Sequence, residues 1–179
     1  IVIYKTSDDS VVETIDVTSN QVTGSGTNQI TINPTDDLDS LTEYYLKIDA
    51  TAFDDPTGNS YAGIDDTTSL SFTTPDIIPP TLTSSDPADN ATAVAEETYI
   101  VLNFSEDVEV ANGNIVIYKT SDNSVVETID VTSNQVTGSG TSQITLNPTD
   151  DLESLTEYYL KIDATAFDDP SGNSYAGIS

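Results

Sequence analysis

Apolar and polar residues alternate clearly in two stretches. In residues 98–104, Ile100, Leu102 and Phe104 fall on one side and Val101 and Asn103 on the other. In residues 156–163, Tyr158, Leu160 and Ile162 share a face opposite Glu157, Tyr159, Lys161 and Asp163. A period of two marks strands with one buried face, so both are predicted core strands. Shorter strands are predicted over residues 81–84, 115–119, 125–129, 135–137 and 143–146, with a last one over 70–73. Turn chemistry separates them. Asp86-Pro87-Ala88-Asp89-Asn90 forms a turn cluster, Ser105-Glu106-Asp107-Val108 leads out of a core strand, and Asn112-Gly113 has the form of a hairpin turn. Gly138-Ser139-Gly140 reads as a tight turn or bulge; the helix and lysine of a phosphate loop do not follow it. Residues 167–177 read as a loop. No segment carries a helical period. About seven to nine short strands in this length predict an antiparallel β-sandwich.

The pattern is written nearly twice. Residues 1–64 recur as residues 115–178, and only five paired positions differ: Asp9/Asn123, Asn28/Ser142, Ile32/Leu146, Asp39/Glu153 and Thr57/Ser171. Self-similarity at a fixed period is the mark of a tandem array of one module. Copying a module adds little to catalysis, whereas reach and multivalency grow with copy number. Thr74-Pro75-Asp76-Ile77-Ile78-Pro79-Pro80 marks the boundary, because adjacent prolines fix φ and favour an extended spacer. The expected organisation is the C-terminal part of one repeat over 1–76, a proline-rich linker over 77–80, and over 81–179 a next repeat that lacks its last strand. The chain is expected to be a segment of a longer protein. Its first copy is expected to need a strand equivalent to residues 98–104 from elsewhere.

Charge narrows the partners. The 179 residues carry 31 acidic and four basic side chains, a net charge of −27. Such a surface repels nucleic acid and anionic membrane. It also repels itself unless salt or divalent cations screen it. Cys, Met, Trp and His are all absent, which excludes disulfides and thiol or imidazole chemistry.

Three stretches carry a family resemblance. Residues 38–48, with Tyr44 (Tyr158 in the second copy), resemble the tyrosine corner of immunoglobulin-like sandwiches. Residues 79–89 with 100–108 are similar to the opening of bacterial Ig-like repeats of the S-layer-protein and giant-surface-adhesin type. Residues 52–63 are similar to the ending of such repeats. The resemblance implies tandem immunoglobulin-like sandwiches of Greek-key topology, in structural, non-enzymatic proteins of the bacterial surface or the extracellular space. Some related arrays are stiffened by calcium.

Calcium is also the candidate chemistry of the side chains, since it takes six to eight oxygen ligands. Oxygen donors cluster at Asp54, Asp55 and Asn59, at their copies Asp168, Asp169 and Asn173, at Asp76 in the linker, at Asp89, and at Glu106 and Asp107. The expectation is a calcium site near the junction, Asp76 meeting loop carboxylates of an adjoining module. Ordinary turn formation competes with it, because Asp and Asn are common turn residues. Tyr45 and Tyr61 are candidate exposed platforms for surface glycans. The sequons at Asn90 and Asn103 read as chance matches.

The leading expectation is a structural or adhesive repeat acting as a stiff extracellular spacer. Its partners would be neighbouring repeats or identical chains. Two alternatives stand beside it: a fibre subunit completed by strand exchange between chains, and an accessory carbohydrate-binding module of an exoenzyme.

Overall fold

The computed structural model describes residues 1–96 and 99–179, so position 98 of the first expected core strand lies outside the described residues. The described residues form no helix, and none is therefore long and apolar enough to cross a membrane. The chain divides into two compact units, Ile1–Asp76 and Ile77–Ser179.

Unit 2 contains the fuller sandwich. Its strands are β7 (Leu82–Asp86), β8 (Ile100–Val110), β9 (Asn114–Lys119), β10 (Val125–Asp130), β11 (Val136–Thr137), β12 (Thr141–Leu146), β13 (Tyr158–Ile162) and β14 (Phe167–Asp168). One antiparallel sheet runs β10-β9-β13. In the other, β12 pairs with β11 and β8, while β7 and β14 also pair with β8. Leu102, Phe104 and Ile144 from one sheet share a single core with Ile115, Ile117, Ile129 and Ile162 from the other. The connection from β12 returns the chain to lay β13 beside β9. This is the long return that a Greek key needs.

Strand β8 corrects the sequence reading. It does not end at Phe104 but runs to Val110, with Val108 fully buried and Glu106 at an inward position of the same alternation. Residues 105–110 stay extended because they find partners: Val108 opposes Thr141, and Glu109 and Val110 oppose Asp168 and Phe167. Acidic side chains hid that apolar period. The start of the expected 167–177 loop is accordingly a strand. Asn112-Gly113 is not a hairpin turn either, since β8 and β9 belong to different sheets and the turn carries the chain between them. The Gly138 turn is tight, as expected. Its φ is +98°, and a Cβ there would sit 2.1 Å from the Gln143 carbonyl oxygen.

Unit 1 holds β1 (Val2–Lys5), β2 (Val11–Thr14), β3 (Val22–Thr23), β4 (Thr31–Ile32), β5 (Glu43–Lys47) and β6 (Ser71–Thr73). One sheet runs β2-β1-β5-β6, and β3–β4 is a separate hairpin. Its core of Ile1, Ile3, Ile15, Tyr44, Leu46 and Ile48 is smaller than that of unit 2.

The near-identical copies show what a missing neighbour does. Strand β12 has six residues where β8 lies beside it, while its counterpart β4 has two. Phe167 forms part of β14 against β8, whereas its counterpart Phe53 lies outside any strand and is half-buried. Conversely, β6 pairs with β5 and Tyr44 and Leu46 are buried; in unit 2 their equivalents Tyr158 and Leu160 are only partly so. With sequence held almost constant, strand length and burial follow the pairing partner, as tertiary context overrides local propensity.

The differing positions between the copies keep their local chemistry. Lys5 pairs with Asp39 at 2.9 Å, and Lys119 with the longer Glu153 at 2.7 Å. The Tyr45 hydroxyl donates to Asp9, and that of Tyr159 to Asn123. Ile32 and Leu146 both pack in their cores, Thr57 and Ser171 each donate a backbone N–H to the preceding aspartate, and Asn28 and Ser142 are both exposed, Asn28 in a bend and Ser142 on β12.

Candidate functional site

The acidic loops follow Phe53 in unit 1 and begin at the end of β14 in unit 2, and each is organised by one aspartate. In unit 1, Asp55 Oδ1 accepts the backbone N–H groups of Thr57 and Asn59 and the Thr57 hydroxyl, while Oδ2 accepts the Asn59 amide. Gly58 completes the turn at φ +87°. Hydrogen bonds from the Asn59 side chain and backbone, then from Thr57, hold the Asp55 carboxyl well below the usual carboxylate range. Asp54 accepts the Ser60 hydroxyl at 2.6 Å. This is an Asx-type turn in which the carboxylate replaces a backbone acceptor.

In unit 2 the aspartate of the same turn is buried. Asp169 is 3% exposed, against an exposed Asp55. Burial alone would raise its carboxyl pKa, but bonds from the Asn173 side chain and backbone, and from Ser171 and Gly172, hold it below its ordinary value. Oδ1 takes two backbone N–H groups and Oδ2 takes the Asn173 amide, which leaves Oδ2 a further lone pair. Asp168, on β14, has an Oδ1 that is buried with no hydrogen-bond partner. A carboxylate oxygen of Glu106 lies within 4.8 Å of one from Asp169. β8 and the loop after β14 thus bring Glu106 and Asp169 together.

Asp107 is exposed on β8. Asp89 is an exposed turn residue that accepts the Asn90 amide. Asp76 accepts the Ser40 hydroxyl at 3.2 Å within unit 1.

The tyrosine corner is present in both copies. The Tyr44 hydroxyl accepts the Asp39 N–H at 2.9 Å, and the Tyr158 hydroxyl accepts the Glu153 N–H at 2.9 Å. Tyr45 departs from expectation. It is 3% exposed, stacked on Tyr4 with ring centroids 4.9 Å apart and planes 6° apart, so it is no free glycan platform. Tyr118 and Tyr159 repeat the stack at 5.0 Å and 9°. Tyr61 is 42% exposed, while its copy Tyr175 is 6% exposed against Phe104. Asn103 donates to Ser84 and accepts from Gln143 inside its sheet, which agrees with a chance sequon there.

One arrangement was not visible in the sequence. Glu127 on β10 accepts the Gln135 amide at 2.8 Å, the Thr149 hydroxyl at 2.6 Å and the Thr149 N–H at 3.0 Å. Glu13, Gln21 and Thr35 repeat it. Each clasp ties an edge strand to the segments on either side of a hairpin. The partners lie 8 and 22 residues from the glutamate, so only the duplication of all three residue types could have hinted at it.

Comparison with known proteins agrees with this architecture. A family model described as the bacterial Ig-like domain matches residues 2–74 and again residues 76–179. No curated protein and no solved structure matches the chain. Two successive matches that together span nearly all of an all-β chain place it plainly: the chain belongs to the bacterial Ig-like domain family.

Proposed function

We propose that the chain is a structural repeat of an extracellular or cell-surface bacterial protein of the S-layer or large-adhesin kind, serving as a spacer rather than a catalyst. The supporting observation is the faithful duplication of an Ig-like unit, with Pro79 and Pro80 stiffening the segment between copies. The best-organised carboxylates, Asp55 and Asp169, are engaged in capping their own turns. An array is useful if its reach scales with copy number. Arrays of two, four and six 114-residue units, studied by small-angle X-ray scattering, should increase in maximum dimension in proportion to unit number. A dimension that levels off as units collapse on one another would end the spacer reading.

We further propose that unit 2 binds calcium through Glu106 and Asp169. Two carboxylates this close, one from a strand and one from a loop, offer a divalent cation hard oxygen ligands. A ligand held only by the native state stabilises it by about 2.7 kcal/mol at 100 times its dissociation constant. Thermal melting should therefore shift upward in calcium relative to chelator at matched ionic strength, and Glu106→Gln should abolish most of the shift. Superimposable melting curves in calcium and chelator would remove this proposal.

A further inference from the structure

Each Glu-Gln-Thr clasp holds a carboxylate, a carboxamide and a hydroxyl in mutual contact. In unit 2, the Gln135 Nε2 has two hydrogens but three oxygens within reach: Glu127 Oε1 at 2.8 Å, the Asn147 carbonyl at 3.1 Å and Thr149 Oγ1 at 3.1 Å. The Thr149 hydroxyl donates its own hydrogen to Glu127 Oε1 at 2.6 Å. Its oxygen therefore turns lone pairs toward the Gln135 carboxamide. A single carboxylate oxygen, Glu127 Oε1, touches both the hydroxyl and the amide nitrogen. Unit 1 repeats the arrangement: Gln21 Nε2 lies 2.8 Å from Glu13 Oε1 and 3.1 Å from Thr35 Oγ1, and Thr35 Oγ1 lies 2.6 Å from Glu13 Oε1. Bonds from Thr35 and Gln21 hold the Glu13 carboxyl below its ordinary pKa, so it is ionised at neutral pH. Burial raises that of Glu127, but bonds from Thr149 and Gln135 outweigh it.

We propose that each clasp is a self-processing site, in which the threonine hydroxyl displaces the glutamine amide nitrogen as ammonia and leaves a Thr–Gln ester cross-link. In unit 2, Glu127 Oε1 takes the proton from Thr149 Oγ1 as that oxygen bonds to the carboxamide carbon of Gln135. The carbonyl electron pair moves onto the side-chain oxygen of Gln135. Glu127 Oε1 then hands its proton to Nε2, the C–Nε2 bond breaks, the carbonyl re-forms and ammonia departs. Nothing is oxidised or reduced, and the glutamate ends ionised as it began. The fold supplies the proximity, and well-oriented intramolecular reactions gain effective molarities of roughly 10⁵–10⁸ M. Ammonia takes up a proton at neutral pH and is diluted away, which draws the exchange forward. Gln135 directly precedes β11 and Thr149 follows β12, so the bond would staple the open end of that hairpin. Gln21 and Thr35 bracket β3 and β4 in the same way. This inference stands apart from the spacer reading, which the scattering of arrays tests separately.

The test is the intact mass of the full, folded chain after prolonged incubation in dilute neutral buffer. The chain should be lighter than its sequence by two molecules of ammonia, one for each clasp. Fragmentation should place the links between Gln21 and Thr35 and between Gln135 and Thr149. Neutral hydroxylamine should open both, leaving a hydroxamate on each glutamine. Thr149→Val and Glu127→Gln should each reduce the loss to one ammonia, with unit 1 as the internal control, while Thr149→Ser, which keeps a hydroxyl, should restore it to two. A wild-type chain that is folded by circular dichroism and keeps its full sequence mass overturns the proposal, whatever the variants do. So does an ammonia loss that persists undiminished when Thr35→Val and Thr149→Val are combined, the result expected if the loss comes from succinimide formation at Asn112-Gly113 instead.

Discussion

Phe167→Ala should destabilise unit 2 by about 3–5 kcal/mol, the range for deleting a buried aromatic ring from a core. Phe167 is fully buried, forms part of β14 and packs on Phe104, which in turn meets Tyr175 edge-on at 5.2 Å. A loss of that size approaches the whole stability of a small domain, about 5–15 kcal/mol. The chain supplies its own control. Phe53→Ala removes the same ring from the same local sequence, but from a half-buried position, and should cost roughly 1 kcal/mol. Hydrogen exchange resolved by unit measures both changes in one molecule. Equal costs would mean that β8 contributes nothing to the environment of Phe167, contrary to the pairing seen.

Gly138→Ala should be the next most damaging change. A residue with a side chain held at positive φ costs roughly 1–3 kcal/mol. Here an added Cβ would also meet a backbone oxygen at 2.1 Å, which cannot move without disturbing β12. The turn abuts β8 as well, since the Gly140 N–H donates to the Val108 carbonyl at 2.8 Å. Gly140→Ala is the comparison: it shares the positive φ, but its added Cβ would meet nothing within 4 Å, so it should cost the backbone strain alone. Denaturant melts of the two variants test the difference, and a Gly140 variant as unstable as the Gly138 variant would contradict the steric account.

The elements most legible in the sequence were those with an uninterrupted two-residue period. The all-β class and the alternation around Leu102 and Leu160 follow from such patterns, whereas the Tyr44 and Tyr158 corners follow from a resemblance to immunoglobulin-like sandwiches. The second half of β8 escaped because Glu106 occupies an inward position where the pattern expects an apolar residue, and only the tertiary partners Thr141, Asp168 and Phe167 reveal the strand. Tyr45 escaped for a related reason. Alternation assigns it correctly to the face opposite Tyr44 but says nothing about a neighbouring ring that covers it. Residue type singled out the acidic loops. Asp55 and Asp169 both cap their own turns, but whether such a carboxylate also approaches a second acid, as Asp169 does, depends on a strand more than 50 residues away in sequence.

The stacked tyrosines give each unit its own optical gauge of register. Tyr4 opposes Tyr45 across β1 and β5, and Tyr118 opposes Tyr159 across β9 and β13. Their rings lie nearly parallel at about the separation where aromatic transitions couple. A one-residue slip in either strand pair would send one ring to the opposite face and break the stack. With no tryptophan to mask them, the near-ultraviolet circular dichroism of this chain is dominated by such rings. The protein thus carries a built-in spectroscopic signal for correctly aligned strands, one pair to each unit.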